Sequence, residues 1–295
     1  MGHEWAGQIV ALGESVEDFK IGDRVAGEAH VGCGKCDNCK RGHYTVCLNY
    51  GHDGHDGGLD LGHRHYGFYW QGANAEYNVY KTSALHRIPD NVSYDVASMC
   101  DCAGVAFHGV QLAGVTPGGT SVVFGPGPIG LCAMQECKAL GSGRVIMIGR
   151  GKKLEKAREL GADVCIDFEK EDPVQRVLEL TGGVGADEVM ECSGAADSPM
   201  KACKLVRKTG SVALIATYHD PDVLIPVNTV NFNEIRIVGS KANPNVSEEV
   251  LNFFSTGAIQ GEKLITHTFP LEEYEKAVDI FEHKKENSIK VVIHP

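Results

Sequence analysis

The sequence predicts an α/β protein with a doubly wound parallel sheet, joined to a β-rich part that carries a four-cysteine metal lobe. From about Thr120 onward, short β-branched runs alternate with helical patterns. A glycine-rich turn connects the first of these runs to the helix that follows it. Four of the eleven cysteines lie within residues 33–47. The first two observations indicate the sheet, and the third indicates the lobe.

The composition is that of an ordinary globular protein, and it excludes several classes of function. Hydrophobic residues make up 43% and charged residues 23% of the 295 residues, so we expect two folded domains. The net charge is −11 and no long basic run occurs, which predicts no nucleic-acid partner. The apolar stretches are too short to cross a bilayer, and the first residues lack the pattern of a signal peptide. We therefore expect a cytoplasmic protein that does not enter a membrane.

The alternation of strands and helices places a dinucleotide-binding type of domain at residues 100–238. Such alternation requires crossover connections, which produce a parallel sheet covered on both faces. Gly141 and Gly161 are expected to end two of the helices. The alternating segments are, in order, SVVF, IGLCAMQECKAL, RVIMI, KKLEKAREL, VCI, VQRVLEL, DEVMEC, MKACKLV, SVALIA and EIRIVG.

The two ends of the chain differ from this middle part. Residues 1–99 contain short strands, many glycines and histidines, and no sustained helical period, so we expect a β-rich, loop-rich domain. Residues 239–295 predict two helices, at 248–254 and 272–281, followed by the strand IKVVIH. This last segment is expected to return to the first domain.

The four-cysteine lobe is the strongest local signal. Cys33, Cys36, Cys39 and Cys47 follow the pattern C-x2-C-x2-C-x7-C, in which thiolates separated by two residues can hold one ion through a tight turn. A site made of four thiolates has no position for water or substrate, so its zinc would be structural. Four unrelated thiols or an iron–sulfur cluster are the weaker alternatives.

The second signal is a G-x-G-x-x-G pattern formed by Gly125, Gly127 and Gly130, with Pro128 and Ile129 inside it. It directly follows a predicted strand and opens a predicted helix, which is the setting of a dinucleotide pyrophosphate site. A purely structural turn is the alternative. We expect this segment to bind NAD or NADP.

The choice between the two cofactors depends on the end of the second strand. An NAD site places an acid there, whereas this chain has Gly149 followed by Arg150, Lys152 and Lys153. Positive charge suits a 2′-phosphate, which favours NADP. The alternative is that these are solvated charges at a helix start and that NAD binds.

His3 and Glu4, with Asp101 far along the chain, are candidate ligands of a catalytic zinc. Such a zinc needs about three protein ligands of N, S or O type and an open position. A lone His-Glu pair is more often a surface feature, so residue chemistry alone does not decide the assignment. Four further histidines suggest a polar, polyhydroxylated substrate nearby, but we expect a solvated loop or a supporting hydrogen-bond role for them. They are His52, His55, His63 and His65.

The segments GHEWAGQIVALG, FKIGDRV, SVVFGPGPIGL and ECSG, together with the cysteine lobe, resemble the zinc-dependent medium-chain dehydrogenase family. Within it the chain is most similar to the sorbitol, butanediol and threonine dehydrogenase branch. The resemblance implies a GroES-like catalytic domain, a Rossmann coenzyme domain and an active site in the cleft between them. It also implies a homodimer or homotetramer that oxidises or reduces a small alcohol, polyol or ketone.

The resemblance also assigns roles to individual residues. His3 falls on the catalytic-zinc histidine and Glu4 on the glutamate beside it. Asp101 lies where this branch has glutamate and the alcohol dehydrogenases have cysteine, and its neighbours Cys100 and Cys102 are alternatives. The four lobe cysteines match the structural-zinc ligands, and the three glycines match the cofactor fingerprint.

One departure from the family pattern concerns the catalytic zinc. Family members have a segment before the GHE motif that supplies a first catalytic cysteine and a Ser or Thr proton relay, whereas Met1 stands two residues before His3. We expect a truncated or mis-started reading frame. The alternatives are a catalytically inactive dinucleotide-binding relative that acts as a regulator or subunit, and a zinc-free reductase, which the cysteine lobe disfavours.

Overall fold

The computed structural model describes residues 1–49, 65–68, 70–220 and 222–295. The chain divides into two compact units. Unit 1 contains Met1–Gly104 and Lys241–Pro295, and unit 2 contains Val105–Ser240. The two ends of the sequence therefore fold together, and the middle forms a separate unit.

Unit 1 contains two small sheets. β1, β2 and β3 pair in that order as antiparallel neighbours, and β10 pairs with β11 in parallel. The strands of unit 1 are β1 Ala6–Gln8, β2 Arg24–Gly27, β3 Leu85–Arg87, β10 Ile265–Pro270 and β11 Lys290–His294. Its helices are α1 Asp37–Lys40, α2 Tyr94–Ala97, α9 Ser247–Thr256 and α10 Tyr274–Glu282.

The first part of the chain is thus rich in short strands and loops, as expected, and both predicted C-terminal helices and the last strand are present. Strand β10 was not predicted. Short 3-10 helices occur at Tyr44–Val46, Thr82–Ala84, Gly261–Lys263, Leu271–Glu273 and Lys285–Asn287.

Unit 2 is built on a six-stranded sheet in which every pair of neighbouring strands is parallel. Its strands are β4 Thr120–Phe124, β5 Arg144–Gly149, β6 Val164–Asp167, β7 Ala186–Glu191, β8 Val206–Leu214 and β9 Arg236–Gly239. Their order in the sheet is β6-β5-β4-β7-β8-β9. The order reverses between β4 and β7, and the carboxyl edge at such a reversal is where doubly wound sheets bind dinucleotides. The predicted α/β fold is confirmed.

Helices connect these strands. They are α4 Pro128–Ala139, α5 Gly151–Glu159, α6 Pro173–Leu180, α7 Ser198–Leu205 and α8 Val227–Phe232, preceded by α3 Cys100–Ala113. Gly141 and Gly161 follow α4 and α5 with φ of +96° and +104°, the left-handed conformation that favours glycine after a helix. Their predicted role as helix stops is confirmed.

The core of unit 2 consists of the continuous apolar strands and the helix faces packed on them. Val122, Ile146 and Val189 are fully buried, as expected for central strands covered on both faces. Among the described residues, the structure contains no helix with the length and apolar character needed to cross a bilayer.

Candidate functional site

The four lobe cysteines converge in unit 1. Their Sγ atoms all lie within 4.8 Å of one another, and the Sγ–Sγ distances are 3.9 Å for Cys33–Cys39 and 3.9 Å for Cys36–Cys47. A tetrahedral zinc with bonds of about 2.3 Å requires sulfur atoms about 3.8 Å apart. The donor set therefore fits a zinc ion in both chemistry and spacing.

Backbone N–H groups of the lobe point at these sulfurs. Lys35 N and Cys36 N donate to Cys33 Sγ at 3.4 and 3.3 Å, and these bonds lower the pKa of Cys33 to about 6. Burial instead raises the pKa of Cys39 to about 12. The lobe thus favours thiolate at its first cysteine, and thiolate is the form that binds metal.

Close packing inside the lobe explains a glycine beside the first cysteine. A Cβ at Gly32 would lie 2.6 Å from Tyr44 Cβ and 2.7 Å from Cys39 Sγ. A larger residue would therefore displace a candidate ligand.

A second cluster in unit 1 brings together His3, Glu4 and Asp101. One ligand atom from each lies within 4.8 Å of the others, and His3 Nε2 is 3.8 Å from Asp101 Oδ2. Nitrogen and carboxylate oxygen are donors that zinc accepts, and three protein ligands are typical of a catalytic site. The chemistry of this donor set fits a zinc ion with room for a further ligand.

Backbone contacts position the histidine of this cluster. Ala73 N donates to Gly2 O at 2.8 Å, and Asn74 N donates to Met1 O at 3.1 Å. Gly67 packs so tightly here that its Cβ would lie 2.4 Å from Gly2 O. The His3 ring then packs against Phe68 with 4.3 Å between ring centroids.

Asp101 belongs to the first turn of α3, where the helix dipole favours negative charge. Burial raises the pKa of Asp101 to about 7, and the nearby Glu28 carboxylate adds to this shift. Burial lowers the pKa of His3 to about 4, with a further contribution from Lys290. His3 is therefore a neutral imidazole at physiological pH, which is its metal-binding form.

Lys290 of β11 was not identified from the sequence as a site residue. Its Nζ pairs with Glu4 Oε2, and its side chain is 11% exposed. Burial lowers the pKa of Lys290 to about 8. Glu4 and Lys290 both line a groove of about 890 Å³ in unit 1. A single lysine in the apolar strand IKVVIH is the sequence signal that could have pointed to it.

Glu28 is a second residue missed at the sequence level. It is 2% exposed and accepts a hydrogen bond from Tyr44 Oη at 2.6 Å and another from Ser247 Oγ. The backbone N of Asn245 donates to Tyr44 Oη at 2.9 Å. Glu28 thus connects the cysteine lobe to the C-terminal part of unit 1.

The glycine fingerprint lies at the carboxyl end of β4, in unit 2. Gly125 has φ of +92°, and Gly127 precedes α4, whose first residue is Pro128 and second Ile129. A Cβ at Gly130 would lie 1.9 Å from Gly125 O, whereas one at Gly127 meets nothing within 4 Å. Gly130 is thus required by packing, and the backbone at Gly127 is open to a ligand such as a pyrophosphate.

The end of β5 contains Gly149, which is buried, and Arg150, which is exposed. A Cβ at Gly149 would lie 2.4 Å from Pro126 Cδ, so this position has no space for an acidic side chain. Arg150 Nη1 pairs with Glu169 Oε1 at 2.6 Å, and Lys153 lies in the first turn of α5.

Glu191, at the end of β7, also lies beside the fingerprint. A Cβ on Gly125 would be 2.8 Å from Ser193 Cα, and Glu191 Oε1 accepts from Ser193 N at 2.8 Å. Tyr218 Oη also donates to Glu191, which is fully buried. These bonds fix the start of the loop after β7, in which Ser193 packs against the glycine turn.

Among the described residues, the remaining candidates Cys100, Cys102 and His65 are not members of either cluster. Cys100 donates Sγ–H to Ser247 O at 3.6 Å. His65 is 9% exposed and packs on His30 and Phe68, with ring centroids 3.9 and 4.1 Å away. His65 is therefore buried rather than in a solvated loop. The other three histidines of that segment, His52, His55 and His63, lie outside the described residues.

Two families match the chain. The family described as zinc-binding dehydrogenase matches residues 128–256, and the alcohol dehydrogenase GroES-like domain matches residues 1–90. The first match begins within the glycine fingerprint, and the second includes the cysteine lobe.

Individual relatives match along the whole chain. A sorbitol dehydrogenase of Halalkalibacterium halodurans is 35% identical over 300 residues, covering 100% of the chain and 83% of that protein. An L-threonine 3-dehydrogenase of Bacillus licheniformis is 34% identical, covering 100% of the chain and 81% of that protein. The structure of an alcohol dehydrogenase from Thermus sp. ATN1 superposes with a TM-score of 0.87 at 32% identity, covering 100% of the chain and 84% of that protein.

Proposed function

Because the chain belongs to the zinc-dependent medium-chain dehydrogenase family, whose members are NAD(P)-dependent oxidoreductases of alcohols, we propose that it oxidises a secondary alcohol or polyol to a ketone. The proposed cofactor is NADP. The observation that carries the proposal is the convergence of His3, Glu4 and Asp101 in one cluster.

In this proposal the residues of the cluster hold a catalytic zinc. The neutral His3 imidazole offers a nitrogen, because burial keeps its pKa at about 4. Asp101 offers a carboxylate oxygen from the first turn of α3. A zinc held by these residues would supply Lewis-acid polarisation of the substrate oxygen, and a nicotinamide bound to the chain would supply hydride transfer. Cys33, Cys36, Cys39 and Cys47 would hold a second, structural zinc.

Unit 2 would bind the cofactor. The open backbone at Gly127 and the first turn of α4, with Pro128 and Ile129, would receive the pyrophosphate. The preference for NADP is supported by two features at the end of β5. Gly149 has no space for the acid that would hold the ribose hydroxyls of NAD, and Arg150 and Lys153 offer positive charge instead.

Arg150 is available to a phosphate although it is paired with Glu169. Both side chains are more than half exposed, and an exposed ion pair contributes only about 0–1 kcal/mol. A 2′-phosphate, which accepts two parallel hydrogen bonds from a guanidinium, can therefore compete for Arg150.

The activity is tested by following nicotinamide absorbance with a panel of polyols and ketones, for the unaltered chain and for H3A and D101N. We expect turnover that is lost in both variants, whereas zinc in the cysteine lobe stays bound. No turnover with any substrate would count against the proposal and favour a dinucleotide-binding protein without catalysis.

The cofactor preference is tested by comparing kcat/KM for NADPH and NADH. We expect R150Q to lose at least about tenfold in kcat/KM with NADPH, since a charge-assisted bidentate contact contributes about 1.5–3 kcal/mol and about 1.4 kcal/mol is a factor of ten. Its kcat/KM with NADH should change little. K156Q is the matched control, because Lys156 lies on α5, the helix that begins directly after Arg150, and pairs with Glu159 at 2.7 Å. Equal use of both cofactors by the unaltered chain would refute the preference.

We further propose that the protein is a cytoplasmic homodimer or homotetramer that binds no nucleic acid. None of the eleven cysteines forms a disulfide, which suits a reducing compartment. The net charge of −11 opposes binding to a phosphate backbone. Light scattering of the purified chain, cell fractionation and a nucleic-acid shift assay test these three points.

A further inference from the structure

Tyr218 lies at the carboxyl edge of the unit 2 sheet, in the loop that follows β8. Its hydroxyl donates a hydrogen bond to Glu191 Oε2, at the end of β7. Burial, and next the Glu191 carboxylate, raise the pKa of Tyr218, so the hydroxyl keeps the proton that it donates. Glu191 is fully buried, and a hydrogen bond to a carboxylate contributes more than one between neutral groups. The contact is therefore strong enough to hold the loop that contains Tyr218.

The carboxylate of Glu191 connects two loops at this edge of the sheet. From the loop after β7, Ser193 donates to Glu191 Oε1 through both its N and its Oγ, and Gly194 N donates to the same oxygen at 3.3 Å. From the loop after β8, Tyr218 donates through its hydroxyl. The main-chain oxygen of Glu191 also accepts from Ile215 N at 3.0 Å. Glu191 thus bonds to both loops.

Close packing supports the same arrangement. A Cβ at Gly125 would lie 2.8 Å from Ser193 Cα, and one at Gly194 would lie 2.7 Å from Thr217 O. The glycine turn therefore packs on the loop after β7, and that loop packs on the loop after β8. Displacement of the loop after β8 would remove one side of this arrangement.

The strand order indicates which half of a dinucleotide these loops would meet. Strands β7 and β8 lie on one side of the reversal, and β5 lies on the other. A sheet with this order binds one mononucleotide on each side. Since the proposed 2′-phosphate site is at the end of β5, the loops after β7 and β8 belong to the nicotinamide side. Ser193 and Thr217 are exposed, so a ligand can reach the surface that these loops form.

We propose that Tyr218 is a positioning residue, which holds the loop after β8 through Glu191 so that this loop forms a preformed wall for the nicotinamide half of the cofactor. The inference rests on the proposed function, because it needs a dinucleotide in unit 2. Without the hydroxyl, the loop would occupy its position for only part of the time. The apparent affinity for the cofactor would then fall in proportion to the fraction of protein in the competent conformation.

The test compares the whole cofactor with one half of it. The full chain is titrated by calorimetry with NADPH and with adenosine 2′,5′-bisphosphate, which has the adenosine half of NADPH and lacks the nicotinamide. We expect Y218F to raise the Kd for NADPH about tenfold and to leave the Kd for the bisphosphate unchanged. Phenylalanine keeps the ring, so only the hydrogen bond is removed. Unchanged binding of the bisphosphate also shows that the variant is folded.

T181V is the matched control for a loss of stability. Thr181 Oγ1 donates to Val177 O at 2.8 Å and accepts from Gly185 N at 2.9 Å. Gly185 directly precedes β7, so these bonds lie at the opposite end of that strand from Glu191. T181V should unfold at lower urea concentration and keep the Kd for NADPH. A tenfold rise of that Kd in T181V as well would assign the effect to stability and overturn the inference.

A double-variant cycle tests whether Tyr218 acts through Glu191. E191Q keeps the size of the side chain and removes its charge. Y218F should change the Kd for NADPH less in the E191Q background than in the unaltered chain, because the charge-assisted bond is already weakened there. Fully additive effects would mean that the two residues act independently and would overturn the positioning role.

The remaining results also bear on the inference. An unchanged Kd for NADPH in Y218F would overturn it and leave the proposed function standing. Weaker binding of the bisphosphate by the same factor as NADPH would overturn it too, since the nicotinamide side would then have no special part. If the unaltered chain bound neither NADPH nor the bisphosphate, both the inference and the proposed cofactor site would be wrong.

Discussion

Replacing Glu136 with methionine is expected to stabilise unit 2 at neutral pH. Glu136 lies on α4 and is fully buried, and neither of its carboxyl oxygens has a hydrogen-bond partner among the described residues. Burial, together with the nearby Cys132 thiol, raises its pKa well above the ordinary value of 4.5. The group is therefore held in its neutral form while the unfolded chain ionises.

The size of the effect follows from this shift. Below pH 4.5, Glu136 is protonated in both states and its ionisation costs no stability. Above that value the unfolded state gains about 1.36 kcal/mol per pH unit, until the pKa of the folded protein is reached. The cost at pH 7 is therefore up to about 3 kcal/mol. Methionine has a similar length and removes both this cost and the unpaired polar atoms.

The assay is urea unfolding followed by far-UV circular dichroism at pH 5.5 and pH 7.5, with zinc held constant. E136M should be more stable than the unaltered chain, and the difference in the free energy of unfolding should be larger at pH 7.5. A lower stability of E136M, or a gain that is the same at both pH values, would refute the reasoning.

Glu188 provides a matched control in the same unit. It is also fully buried, but its oxygens accept hydrogen bonds from Ser121 Oγ at 2.5 Å and from Thr116 N at 3.3 Å. E188M should destabilise unit 2 by about 1–3 kcal/mol, because it leaves buried donors without partners. If E136M stabilises unit 2 and E188M destabilises it, then the missing hydrogen bonds, and not burial alone, make Glu136 destabilising.

Three further predictions concern the lobe, the fingerprint and the connection between the lobe and the rest of unit 1. C36S should lower the zinc content by one ion per chain and lower the melting temperature, measured by metal analysis and calorimetry, since structural zinc contributes its binding energy to folding. G130A should lower the stability of unit 2 by about 1–3 kcal/mol, because its Cβ would lie 1.9 Å from the carbonyl oxygen of Gly125. For the same reason it should lower the affinity for NADPH. G127A, with open space around its Cβ, should weaken only NADPH binding, which titration calorimetry measures. Y44F removes the hydroxyl that donates to Glu28 and should destabilise unit 1 by about 1.5–3 kcal/mol. Tryptophan fluorescence measures the unfolding of unit 1, because both tryptophans belong to it.

A specific result would contradict each of the predictions for C36S, G127A and Y44F. Full zinc content in C36S would show that the four thiols do not act as one site. Equal NADPH affinity for G127A and the unaltered chain would place the pyrophosphate elsewhere. Unchanged stability of Y44F would mean that water replaces the hydroxyl as the donor to Glu28.

The fold of unit 2 was predictable because its signals are local. Strands such as β4 and β5 are continuous apolar runs, and the glycines after α4 and α5 mark where those helices end. Strand β10 was missed because ITHTFP is short and is defined by its pairing with β11, more than twenty residues later. The sequence alone contains no sign of that partner.

The candidate sites were predictable to different degrees, because some depend on residues close together in sequence and others on residues far apart. The spacing of the lobe cysteines reveals their convergence, since all four lie within 33–47. The meeting of His3 with Asp101 depends on the tertiary fold, and only a family resemblance indicated it. Glu28 and Lys290 are charged residues that are buried by packing between segments remote in sequence. The hydrophobic pattern of the sequence does not predict which charged residues are buried in this way.

The contact between Gly149 and Pro126 has a consequence for how coenzyme choice can evolve in this chain. An acidic residue at position 149 would place its Cβ 2.4 Å from the proline ring, so the single change is damaging on its own. Under the proposed preference for NADP, a change to NAD through an acid at position 149 would therefore need a second substitution, at Pro126, to make space for it. The two positions are thus coupled, and this route takes at least two mutations rather than one.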